Sequence, residues 1–151
     1  MLLTRKWLWP SGEEADHNEA RNLLLDPSIE IFVGTDSHLI GGRWIFATVI
    51  ATHRPGLGGR FMYHRDEMSL GDIKHLGQRL SEEAMRSLIV ASEIKNELGR
   101  DAEVHLDLSS EKHKSSKFVK QLTTMVSSCG FKVQIKPRAW VSSSIADRSA
   151  R

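Results

Sequence analysis

The spacing of apolar residues changes once along this chain, from a period of two to a period of 3.6 near residue 69, and that change restricts the fold more than any other feature. Before it lie three runs rich in β-branched and aromatic residues. Ile29–Asp36 (IEIFVGTD) predicts a strand ending in a polar tip, and Gly41-Gly42 predicts a tight turn into Arg43–Thr52 (RWIFATVIAT). The second run is almost continuously apolar, the pattern of a central strand covered on both faces. Pro55–Gly59 supplies the next turn and Arg60–His64 a short third strand, which completes an antiparallel meander. Beyond the change, Leu76, Leu80, Ala84, Ser87, Leu88, Ala91, Ile94 and Leu98 fall on one stripe. One long helix is therefore expected over Ser69–Leu98, with Gly99 as its stop.

The rest of the chain alternates between the two periods. Ala102–Leu108 (AEVHLDL) predicts a strand, Lys114–Cys129 a helix ended by Gly130, Phe131–Lys136 a strand stopped by Pro137, and Ser143–Arg151 a short last helix. This order builds an α/β fold: a five-stranded mixed sheet, its three-stranded antiparallel meander extended by βαβ crossovers, with helices on both faces. A chain of 151 residues has room for one such domain, expected over residues 29–151. Residues 1–28 read as an N-terminal extension whose helix, over 10–28, is capped by Ser11 and closed by Asp26-Pro27.

Hydrophobic residues at 40% and charged residues at 26% exclude disordered, collagen-like and coiled-coil classes. No apolar run approaches the ~18 residues of a membrane span. The opening MLLTRKWLWP is broken by Thr4, Arg5, Lys6 and Pro10 before a signal-peptide core can form, so no membrane partner and a cytoplasmic location are expected. The single cysteine, Cys129, reads as a packing residue. There is no nucleophile elbow or dinucleotide fingerprint, and no helix opens after Gly56-Leu57-Gly58-Gly59 to make it a phosphate loop.

Charge is uneven. Residues 1–108 carry 12 Lys/Arg against 17 Asp/Glu, whereas residues 109–151 carry 9 against 2. That pattern suits an acidic centre that binds cations beside a basic wall that receives phosphates. If the first strand pairs in parallel with the fourth, Asp36 and Asp107 emerge at the carboxyl ends of neighbouring strands, the edge where open α/β sheets place their sites. On the long helix, the phase of about 100° per residue puts Glu83 at the margin of the buried stripe and turns Glu82 away. Asp147 lies near the start of the last short helix and can return over the same edge. Four carboxylates then converge. Hard oxygen ligands of this kind suit Mg²⁺ or Mn²⁺, and two such ions activate water and stabilise the leaving oxygen in phosphodiester hydrolysis.

These residues resemble the ribonuclease H-like superfamily, and more closely the small bacterial YkuK-type family. The resemblance is carried by VGTDSH at Val33–His38, RLSEEAMRSL at Arg79–Leu88, VHLDL at Val104–Leu108, IKP at Ile135–Pro137 and SIAD at Ser144–Asp147. It implies the strand and helix order above. It also implies that Asp36, Glu83, Asp107 and Asp147 are similar to the acidic metal-binding residues of that superfamily.

Around them, Ser37, Lys114 and Lys136 are the expected substrate contacts, with Lys112, Lys117 and Lys120 populating the same basic segment. His105 alternates onto the face of Asp107, and a zinc site built from His38, His105 and His113 is a weaker alternative, lacking a helical His-x-x-x-His or a cysteine pair. Trp44 lies in a buried strand, which leaves Trp7, Trp9 and Trp140 as candidates for stacking on bases. The leading reading is a divalent-metal-dependent nuclease acting on RNA or DNA. The alternative is a non-catalytic nucleic-acid-binding or scaffold module that binds through residues 109–151, and a third possibility is a nucleotide-binding or small phosphoester hydrolase.

Overall fold

A computed structural model describes residues 4–111 and 114–151; Lys112 and His113, named above, lie outside them. Helix α1 (His17–Leu25) precedes a meander of β1 (Glu30–Ile40), β2 (Arg43–Arg54) and β3 (Gly58–Ser69). The long helix α2 (Leu76–Leu98) crosses to β4 (Glu103–His105), α3 (Val119–Ser128) leads to β5 (Val133–Gln134), and the chain closes with π-type turns over Val141–Ala146 running into α4 (Asp147–Ala150). The strands form one sheet in the order β3-β2-β1-β4-β5, antiparallel within the meander and parallel from β1 through β4 to β5. The expected five-stranded mixed sheet of the ribonuclease H-like fold is therefore present.

Two apolar clusters cover the two faces. The larger joins Ile31, Val33, Ile50 and Val104 of the sheet to Leu24 of α1, Leu80, Ala84, Ala91 and Ile94 of α2, and Leu122 and Val126 of α3. Each fully buried Leu or Ile here contributes ~1.5–3 kcal/mol relative to exposure. The smaller cluster packs Phe32, Val49 and Ala51 against Val141 and Ala146. Because both faces are covered, β2 is buried without a break from Phe46 to Thr52, as its apolar run predicts.

Several boundaries differ from expectation, each for a physical reason. Helix α1 starts at His17 rather than near residue 10, because Asp16 accepts a hydrogen bond from the Glu19 N–H at 3.1 Å and caps it in place of Ser11. The chain before it is tied into the fold: Trp7 is 2% exposed within the main core, and Leu8 bridges Tyr63 of β3. Trp7 is thus removed from the candidates for base stacking. Arg100 donates to the carbonyls of Leu24 and Ile29 at 2.8 and 2.7 Å and also to that of Asp26, fixing the turn between α1 and β1.

β3 runs twelve residues rather than five, since all twelve positions pair with β2 although its sequence is too charged to look like a strand. A 3-10 turn over Leu70–Asp72 takes up the first residues assigned to the long helix. α2 opens where His75 Nδ1 accepts from the Gln78 N–H, and it ends at Gly99 in the left-handed conformation at φ 67°, as predicted. β4 and β5 are short, yet Leu106 N–H donates to Gln134 and Lys136 N–H to Leu108, so the extended pairing continues to Lys136. The segment Lys114–Phe118 is a 3-10 turn rather than the start of α3. Cys129 is exposed rather than packed, because α3 ends at Ser128 before it.

Candidate metal centre

Strand alternation sorts the residues of β1. Thr35 and Ser37 face α2: the Thr35 hydroxyl lies 2.7 Å from that of Ser87, and the Ser37 hydroxyl donates to Glu83 Oε2 at 2.5 Å. Asp36 and His38 face the other way, toward the C-terminal helical segment. The parallel ladder of β1 with β4 ends at Gly34↔His105, and two more residues on each strand bring Asp36 and Asp107 level where the strands part. Glu83 reaches this edge from one face and Asp147 from the other.

Two groups of side chains result, and both contain Asp36. Asp36, Glu83 and Asp107 offer carboxylate oxygens within 4.8 Å of one another, and so do the ligand atoms of Asp36, His38 and Asp147. All four carboxylates expected from the sequence stand at this edge. Glu83 is only 4% exposed. Glu82 points away and pairs with Arg86 at 2.6 Å.

The C-terminal helix is short, so its hold on Asp147 is tertiary. Val141, Ala146 and Ala150 are buried against the sheet, and Arg65 donates to the Ala150 carbonyl at 3.1 Å. His105 Nδ1 accepts from the Val141 N–H at 3.3 Å while Nε2 faces Glu103 at 3.2 Å. Burial, opposed by Glu103, holds the His105 pKa below its ordinary value, which suits a neutral ring accepting at Nδ1. His105 therefore anchors the helix that carries Asp147. Asp147 itself meets His38 Nε2 at 2.8 Å and Arg151 Nε at 3.5 Å.

The electrostatics are those of a place short of positive charge. Burial first, then the charges of Glu83 and Asp107, push the Asp36 carboxyl well above the usual carboxylate range, and burial likewise raises Glu83 against the pull of Ser37 and Arg79. Such a cluster favours extra protons or a bound cation, and its oxygen donors are of the kind that hold a hard divalent ion. At Asp147 the raising effect of partial burial is outweighed by hydrogen bonds with Asp36 and His38, so its pKa falls.

Lys136 Nζ pairs with Asp107 Oδ1 at 2.9 Å, and this hydrogen bond raises the pKa of Lys136. Beside that pair opens a pocket of about 280 Å³ lined by Arg79, Asp107, Ser109, Lys114, Ser115 and Lys136. Lys114 and Lys136 thus border the same pocket. Ser37, expected at the substrate, is buried and spends its hydroxyl on Glu83.

Two further residues stand at this edge beyond the four carboxylates. His38, which the sequence offers as a zinc ligand, lies two residues from Asp36 within a strand, a spacing that signals a shared face. Arg79 lies one helical turn before Glu83, a spacing that places the two together. Among the described residues, no metal-capable group joins His38 to His105. The zinc set fails because His105 sits between Phe32 and Trp140, engaged at both ring nitrogens. Trp9 packs under Arg60 and is partly buried, whereas Trp140 is 40% exposed.

The sheet order, the crossovers and a carboxylate cluster at the carboxyl ends of β1 and β4 define a class of α/β protein with an acidic edge. A family model described as Ribonuclease H-like matches residues 19–151, and the chain belongs to that family. The match begins inside α1. Comparison with curated proteins and with solved structures returned no match. No helix among the described residues is long and apolar enough to cross a membrane.

Proposed function

We propose that this protein is a divalent-metal-dependent nuclease that hydrolyses phosphodiester bonds in RNA or DNA. The observation that carries the reading is the sharing of Asp36 by two groups of ligand atoms at one sheet edge. Asp36, Glu83 and Asp107 would hold one Mg²⁺ or Mn²⁺ ion, and Asp36 with Asp147 a second. When bound, such a pair supplies Lewis-acid activation of water and neutralises charge on the leaving oxygen.

The chain's own residues prepare the rest. Ser37 orients Glu83 through its donated hydrogen bond, and Lys136 fixes the Asp107 carboxylate. Arg79, Lys114 and Lys136 line a pocket suited to a phosphate of the bound strand. Asp36 is the residue whose loss disables both positions.

Cleavage of labelled RNA, DNA and hybrid duplexes in Mg²⁺ and in Mn²⁺, by wild type and Asp36→Asn, tests this reading. Wild type is expected to cut at least one substrate in a manner abolished by chelation, with activity in the variant reduced by at least about 10²-fold. Equal cleavage by the two proteins would refute it. Salt-sensitive binding without cleavage would favour the non-catalytic nucleic-acid-binding module.

A further inference from the structure

His38 is the side chain that the carboxylate assignment leaves over. Its Nε2 stands 2.8 Å from Asp147 Oδ1 and 3.4 Å from Asp36 Oδ2. Ligand atoms about 2.1 Å from one ion lie about 3.0 Å apart when adjacent in an octahedron and about 3.4 Å apart in a tetrahedron. The His38 distances span that range. The side chain is 26% exposed, so the position remains open to solvent on one side.

The two groups sharing Asp36 therefore differ in chemistry. Asp36, Glu83 and Asp107 present oxygen alone, whereas Asp36, His38 and Asp147 present two oxygens and an imidazole nitrogen. Mg²⁺ dehydrates reluctantly and keeps to oxygen, while imidazole suits softer first-row ions.

We infer that His38 makes the outer position a mixed nitrogen–oxygen site that selects Mn²⁺, Co²⁺ or Zn²⁺ over Mg²⁺, beside an inner all-oxygen position that accepts Mg²⁺. This rests on the carboxylates being metal ligands, as proposed above. It goes further by assigning a different ion to each position and a metal-binding role to a residue outside the acidic set.

Pulsed electron paramagnetic resonance of the full chain loaded with Mn²⁺ tests it without reference to activity. Two Mn²⁺ per chain are expected, one of them showing the ¹⁴N coupling of a directly bound imidazole. Excess Mg²⁺ should displace the uncoupled ion and leave the coupled one. In His38→Gln the coupling should vanish and the outer affinity fall by at least about tenfold, the lower end of the cost of disturbing a metal's surroundings. Asp107→Asn should do the converse, weakening the uncoupled ion and sparing the coupled one.

Two Mn²⁺ without ¹⁴N coupling in wild type would overturn the role of His38 and leave the carboxylate site standing. Coupling that persists in His38→Gln would place the nitrogen on another residue and overturn it too. No bound Mn²⁺ at all would overturn both readings.

Discussion

Asp36 is the residue on which the site turns, and its electrostatics predict a visible trade. In the metal-free protein, burial and the neighbouring carboxylates raise Asp36, and burial raises Glu83. In the unfolded chain both give up their protons near pH 4. Above that pH the folded state holds the extra protons, so these groups make stability fall as pH rises from about 4 toward the raised values. Asp36→Asn cannot ionise. Its metal-free form is expected to be more stable than wild type at pH 7, by on the order of 1–3 kcal/mol, with a flatter pH dependence in urea unfolding. A variant less stable than wild type at pH 7 would contradict this account.

At the scale of elements, the site depends on how strands and helices are docked. β1 continues past its parallel ladder with β4, which places Asp36 where the two strands part. α2 brings Glu83 over that edge because its buried stripe runs from Leu80 to Ile94 on the sheet. The last helix is held by a small cluster around Val141 and Ala146. Ala146→Asp places an unpaired carboxylate in that cluster and costs on the order of several kcal/mol if it stays buried. The expected outcome is an undocked C-terminal segment, loss of the second bound Mn²⁺ in calorimetric titration and retention of the first. Loss of both ions together would show that the two positions are not separately supported.

For the whole molecule, the acidic edge and the basic segment that follows it in sequence meet at one pocket, where Lys114 and Lys136 stand beside Asp107. Ions that bind the folded state alone should stabilise it. Mn²⁺ at about 100 times its dissociation constant adds about 2.7 kcal/mol. For a chain of this size that corresponds to a rise in Tm of about 5–10 °C, and Asp36→Asn should show almost none of it. Nucleic-acid affinity measured across salt concentrations should fall steeply. Lys114→Ala should lower that slope by about one while weakening binding to all sequences alike. An unchanged slope would remove Lys114 from the interface.

The sequence by itself determined the element order and which residues share a face, because hydrophobic period and strand polarity are local properties. Asp36 and Asp107 were legible from strand ends, and Glu83 from helical phase. Only the tertiary structure decided the length of β3, whose charged residues form a strand through a ladder with β2 that no local propensity reports. It also decided the burial of Trp7 and the assignment of Ser37 to Glu83, since both follow from packing between distant segments. The placement of His38 between Asp36 and Asp147 belongs there too. That contact joins residues 109 positions apart in sequence, and it exists because a helix too short to stand alone is fastened to the sheet by His105, Arg65 and a few buried methyl groups.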